Sequence, residues 1–115
     1  MRRNTLVAAA ALVAVGFGGT AVAAPSATYS LSADKSRLKF NKSTIRAKAG
    51  KVTLRMANPS SLPHAVGIQG RGKGKTVGKG GTSTYTATLK KGTYTFYCPV
   101  GSHAKAGMRG KLIVR

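Results

Sequence analysis

Residues 92–115 read Gly92-Thr93-Tyr94-Thr95-Phe96-Tyr97-Cys98-Pro99-Val100-Gly101-Ser102-His103-Ala104-Lys105-Ala106-Gly107-Met108-Arg109-Gly110-Lys111-Leu112-Ile113-Val114-Arg115. The run from Gly92 to Cys98 is rich in β-branched and aromatic residues, which suits a strand. Alternation puts Tyr94, Phe96 and Cys98 on one face and Thr93, Thr95 and Tyr97 on the other, so Cys98 ends the strand pointing toward the core side. Pro99 stops the ladder because it has no N–H. Gly101 lets the loop curl, and Gly107 and Gly110 bracket Met108 before a last apolar run, Lys111 to Arg115. One strand–loop–strand unit therefore presents a cysteine, a histidine and a methionine.

A second histidine lies far upstream. His64 heads a strand-like run, His64 to Ile68, entered through Asn58-Pro59-Ser60-Ser61-Leu62-Pro63. The only cysteine and both histidines of the chain, with Met108, could converge on one metal. Two imidazoles and a thiolate in a trigonal plane, with a weak axial thioether, make the ligand set of a blue-copper electron-transfer centre. Singly, each has a plainer reading: a lone cysteine is often a small buried hydrophobe, and Met108 could fill a core. Their joint order and spacing favour the metal. Met56, mid-strand in Val52-Thr53-Leu54-Arg55-Met56, is expected to pack in the core.

The pattern Tyr94-Thr95-Phe96-Tyr97-Cys98, then His103, Gly107-Met108, Gly110-Lys111 and Val114, resembles the ligand loop of the cupredoxins, plastocyanin-like most closely. The four residues between Cys98 and His103 are similar to the azurin spacing, and the four between His103 and Met108 to the plastocyanin spacing. Ala49 to Asn58 is similar to the family's strand before the first ligand. The resemblance covers roughly Phe40 to Arg115. It implies a type 1 copper site with His64, Cys98 and His103 as equatorial ligands and Met108 as the axial one. Two departures stand out: Ala65 occupies a place where the family often has Asn, and the acidic patch of plant plastocyanins is absent.

The 115 residues open with the features of a signal peptide. Arg2 and Arg3 form a basic n-region, Leu6 to Val15 an apolar h-region, and Ala21-Val22-Ala23 an A-x-A cleavage site. Residues 1–23 are thus expected to be removed, leaving one small domain at 24–115; the alternative is a retained anchor, since the uncharged run Leu6 to Ala24 is long enough to span a bilayer. The expected location is outside the cytoplasm of a prokaryote, in the periplasm or at the cell surface. A single cysteine excludes an intramolecular disulfide, and an unpaired thiol outside the cell is open to oxidation. Metal ligation accounts for it.

The punctuation is that of an all-β protein. Thr28–Ser32, Arg37–Phe40, Ser43–Ala47, Lys51–Ala57 and Thr82–Leu89 read as short strands, with Asn41-Lys42, Ala49-Gly50 and Asn58-Pro59 as breaks. No stretch has sustained helical periodicity. Seven or eight strands at this spacing fit a Greek-key β-sandwich or barrel. Lys90-Lys91-Gly92 is a turn, and Leu89 to Tyr94 resembles a tyrosine-corner approach. Gly70 to Gly81 reads as a flexible cationic loop. Its Gly74-Lys75-Thr76 is no phosphate loop, because Gln69 stands where a Gly is required and no helix follows.

Charge is the second distinctive feature: 20 Lys and Arg against one acidic residue, Asp34, for a formal net charge of +19. Two-carboxylate hydrolysis and carboxylate-bound metals need residues this chain lacks. A Cys98–His103 nucleophile pair would need an orienting third group that nothing supplies, so no enzymatic activity is expected. The expected function is an exported, monomeric blue-copper carrier of single electrons. The alternatives are a copper-holding or delivery protein, and a basic β-sandwich adhering to anionic cell-surface polymers. The charge would steer it to anionic partners. An acidic redox protein docking near His103 is the expected one, anionic cell-surface groups are a second, and no nucleic acid is expected because no recognition motif supports it.

Overall fold

The computed structural model describes residues 25–115. The expected signal peptide, residues 1–23, lies outside the described residues. Among the described residues eight strands follow one another: β1 Ser26–Ser32, β2 Thr44–Ala47, β3 Gly50–Ala57, β4 Gly67–Ile68, β5 Gly72–Lys73, β6 Thr82–Leu89, β7 Gly92–Tyr97 and β8 Arg109–Val114. They form a three-stranded sheet in the order β1-β3-β6 and a five-stranded sheet in the order β2-β8-β7-β4-β5. β1 runs parallel to β3 and β2 parallel to β8; the other pairs are antiparallel. The chain passes from one sheet to the other at β1–β2, β2–β3, β3–β4, β5–β6 and β6–β7, so the architecture is the expected Greek-key sandwich, with two separate sheets rather than a closed barrel.

Period-two alternation decides which side chains meet between the sheets. Val52, Leu54 and Met56 of β3 are fully buried, as are Phe96 of β7 and Leu112 of β8. Met56 is core, as its position required. Phe40 packs on Phe96 with ring centroids 5.5 Å apart, and burying side chains of this size stabilises by about 1.5–3 kcal/mol each. Tyr94 reaches back from β7 and its hydroxyl donates to the Lys90 carbonyl at 2.7 Å, which is the tyrosine-corner bond. This bond ties the sheet-crossing turn to the strand that leads to Cys98.

Three readings need correction. Arg37–Phe40 is not a strand: only an isolated bridge joins Ala33 to Phe40. The Asp34 carboxylate accepts the amides of Ser36 at 3.0 Å and Arg37 at 2.8 Å, and so bends the backbone into a turn. Those amide bonds, with help from the Arg37 guanidinium, hold the Asp34 carboxyl down at about 2. The His64–Ile68 run pairs as a strand only at Gly67–Ile68, while His64 makes a single bridge to Val77. Finally, Gly70–Gly81 is not simply a loop, because it contains β5 and that bridge. Its glycines allow close approach: a Cβ on Gly74 would stand 2.5 Å from the Thr84 carbonyl oxygen.

Candidate metal centre

The β7–β8 connection is a compact loop. Cys98 sits one residue past β7, and its amide donates to the Met108 carbonyl at 3.0 Å, carrying the ladder one step into the loop. Met108 in turn donates its amide to the His103 carbonyl at 3.0 Å, and His103 donates to Val100 at 3.0 Å. The chain can fold back this tightly because Gly107 adopts φ +122°, a conformation that L side chains rarely take. Backbone bonds thereby hold Cys98, His103 and Met108 in one unit.

His64 arrives from the segment after β3. Asn58, buried at the end of that segment's approach, donates from its side chain to the carbonyls of Leu62 at 2.8 Å and Val77 at 2.9 Å, and accepts the Ser60 amide at 3.0 Å. The Asn58–His64 turn is thus fastened to the strand region around Val77, where His64 makes its backbone bridge.

Three donor atoms meet at one point. His64 Nδ1 lies 3.2 Å from His103 Nδ1, Cys98 Sγ lies 3.6 Å from His103 Nδ1, and Cys98 Sγ lies 3.9 Å from His64 Nδ1. The imidazole planes are inclined at 62°, so both rings turn an edge nitrogen toward the sulfur. A single ion about 2.0–2.3 Å from each nitrogen and sulfur donor spans a triangle of this size. His64, Cys98 and Met108 are fully shielded from solvent, whereas His103 is only half-buried.

Protonation is arranged to suit ligation. Ser60 Oγ lies 3.2 Å from His64 Nε2; in the tautomer protonated at Nε2 that N–H donates to Ser60 Oγ, and the Nδ1 lone pair faces Cys98 and His103. Burial first, then repulsion from His103, pushes the His64 imidazole below its ordinary range, which favours the neutral ring that ligation needs. The donor set is two imidazoles and one sulfur, with a methionine fixed beside them and no carboxylate. Hard cations such as Mg²⁺ and Ca²⁺ take oxygen ligands, whereas a His₂Cys triangle with a weak axial Met suits copper.

Of the four residues singled out in the sequence, the donor atoms of His64, Cys98 and His103 are brought together, and backbone bonds fix Met108 beside Cys98 and His103. Two contributors were missed: Ser60, which orients His64, and Asn58, which fastens the turn. The available signal was Asn58-Pro59-Ser60 itself, since Asn and Ser bond to nearby backbone in tight turns. Asn58 and Ser60 hold the first histidine's turn in place although Ala65 offers no side-chain hydrogen bond.

The sequence profile of the cupredoxin-like domain matches residues 6–114. Among solved structures, auracyanin from Roseiflexus castenholzii is 22% identical at a TM-score of 0.70, covering 79% of this chain and 99% of its own. Auracyanin A from Chloroflexus aurantiacus, described as a "blue" copper protein, gives the same identity and TM-score and covers 79% and 100%. The blue copper oxidase of Nitrosomonas europaea is 23% identical at a TM-score of 0.64, covering 76% of this chain but 38% of the oxidase. At this level of identity the structural likeness speaks to the fold.

Proposed function

The chain belongs to the cupredoxin-like family, and on that premise we propose that it is an exported carrier of single electrons on one type 1 copper ion held by His64, Cys98, His103 and Met108. The observation that carries the proposal is the Nδ1–Nδ1–Sγ triangle with edges of 3.2, 3.6 and 3.9 Å. Copper in such a site supplies one-electron exchange between Cu(II) and Cu(I), with a potential tuned by the axial ligand and by the surroundings of the thiolate.

The protein's own part is rigidity and access. Backbone bonds lock Cys98, His103 and Met108 into one loop, and Ser60 and Asn58 fix His64, so the donors stay put whichever charge state they serve. Full burial of Cys98 keeps water and oxidants from the sulfur. His103 alone of the four reaches the surface, which makes its edge the shortest approach for a partner. Beside it in the loop are the small Ala104 and Ala106, the latter donating its amide to the His103 carbonyl at 3.1 Å. Such a surface can be covered without stripping water from charge, as suits a small transient redox contact. Cations outside it would steer an acidic redox protein from a distance.

The chain's two histidines and single cysteine are all spent on this one cluster. That supports a carrier rather than a catalyst assembled from several metal centres.

The test is kinetic. Reduction of the copper-loaded protein by a small acidic redox protein is expected to slow steeply as salt rises, screening having a length of ~10 Å at 0.1 M. Ala104→Glu is expected to slow it further while leaving the visible spectrum as it was. Rates indifferent to both salt and Ala104→Glu would mean that electrons enter by another face.

A further inference from the structure

The outer face of the three-stranded sheet takes no part in the metal site, and strand register fixes what it displays. Because Val52, Leu54 and Met56 point inward, Lys51, Thr53, Arg55 and Ala57 point outward along the central strand. Each faces hydroxyls on both sides. Arg55 pairs with Ser30 on β1 and Thr84 on β6, Thr53 with Thr28 and Thr86, and Lys51 with Ser26 and Thr88. The Thr53 and Thr86 hydroxyls bond to each other at 2.8 Å, which places both on this face. Strand geometry sets the lattice: rows roughly 4.8 Å apart across the sheet, and alternate residues roughly 6.7 Å apart along it.

A concavity opens at one end. A cavity of about 200 Å³ is lined by Ser30, Leu31, Arg55, Ala57 and Thr82, with the small Ala57 leaving the space. Lys42 Nζ donates to the backbone carbonyl of Ser30, one of the lining residues, at 2.7 Å. No side-chain carboxylate answers these cations, because Asp34 is the only one in the chain and Arg37 engages it at 3.4 Å. A guanidinium and two hydroxyls around one hollow, with no carboxylate to compete, are recognition chemistry for a phosphate.

We infer that this face binds an extended polyol phosphate, a chain of phosphodiester-linked polyhydroxy units. Phosphates would seat at the Arg55 hollow and at Lys51, roughly 13 Å along the strand by the ~3.3 Å rise per residue. Ser and Thr hydroxyls, each donor and acceptor at once, would match the polyol hydroxyls between. The face argues against other anionic surfaces. It carries no aromatic or large aliphatic side chain to sink into a bilayer and no aromatic to stack on a nucleobase. The tyrosines of its two edge strands are turned inward: Tyr85 packs against Gly72, and Tyr29 accepts the Lys48 amide. The inference does not depend on the copper proposal, since it concerns a different face and needs no metal.

The experiment is a binding titration at 0.15 M salt with synthetic poly(glycerol phosphate), using the full chain and three double variants. Lys51→Thr with Arg55→Thr is expected to weaken binding roughly twenty-fivefold, about fivefold for each cation removed from an anionic surface. Thr84→Val with Thr86→Val keeps charge and strand preference and is expected to weaken it severalfold. Arg46→Thr with Lys111→Thr removes the same charge from the five-stranded sheet and is expected to change it less than threefold. Equal losses from the two charge-removing pairs would overturn the assignment of this face. An unaffected Thr84→Val/Thr86→Val variant would overturn the hydroxyl recognition. Binding of polyglutamate, duplex DNA or phosphatidylglycerol vesicles as tight as that of poly(glycerol phosphate) would reduce the face to general charge attraction and overturn the proposal.

Discussion

Ser60→Ala is the substitution that most sharply separates a tuned metal site from a chance meeting of three donors. Ser60 is 3% exposed and His64 is 0% exposed, so water has no ready route to replace a lost partner. The hydroxyl also accepts the Leu62 amide at 2.8 Å, besides serving His64 Nε2 at 3.2 Å. Leu62 is exposed enough for its amide to find water, which leaves one orphaned buried donor on His64. An unsatisfied buried donor costs about 1–3 kcal/mol, and the loss of one oxygen atom adds only a small void. The apoprotein should therefore lose about 1–3 kcal/mol by denaturant unfolding. Removing a group that orients a metal-bound histidine commonly weakens the metal by 10–100-fold, equivalent to about 1.4–2.7 kcal/mol. Competition with a chromophoric copper chelator measures that loss, and Ser60→Thr, which keeps the hydroxyl, should recover part of it. If Ser60→Ala held copper within twofold of the parent and unfolded at the same denaturant concentration, the Ser60–His64 bond would have no orienting role.

Two further outcomes follow from the fold around the site. A Cβ at Gly110 would fall onto the Phe96 ring and the Ser43 carbonyl oxygen, and Ser43 is held by the Lys111 amide at 2.9 Å. Gly110→Ala should thus destabilise by about 1–3 kcal/mol through overpacking, lowering the unfolding midpoint by roughly 4 °C or more in a domain of this size; an unchanged midpoint would show that β2 and β8 can part freely. The Asp34 carboxyl is lowered to about 2 in the folded chain from an ordinary 3.8, so its stabilisation is present above the ordinary value and is lost as pH falls through the folded one. No other side-chain carboxylate titrates there, so the apoprotein's thermal unfolding midpoint should fall between about pH 4 and 2, and Asp34→Asn should flatten that decline. A decline that persists in Asp34→Asn would assign it elsewhere.

The sequence disclosed the site more fully than the scaffold, and the reasons are chemical. Cys98, His103 and Met108 lie within one short loop, so spacing alone indicated their meeting, and His64 was identifiable because the chain has only one other histidine. Strands with clean alternation, such as β3, β6 and β7, were legible because one face of each is buried. Arg37–Phe40 misled because its composition suits a strand, while the deciding contact is the Asp34 side chain bonding the backbone ahead of it. The Gly70–Gly81 segment misled in the opposite sense. Its glycines read as flexibility, yet at Gly72 and Gly74 they admit a neighbouring strand, a tertiary demand that local composition does not reveal. Ser60 was overlooked because a serine in a turn usually serves only the backbone, and its second partner, His64, comes from the fold.

The central claim is that Cys98 is a copper ligand together with His64 and His103, and the visible spectrum tests it most directly. Apoprotein titrated with one equivalent of Cu(II) should turn intensely blue through thiolate-to-copper charge transfer, and Cys98→Ser, treated identically, should remain colourless while still folded. A parent protein that stays colourless, or a Cys98→Ser variant as blue as the parent, would contradict the account.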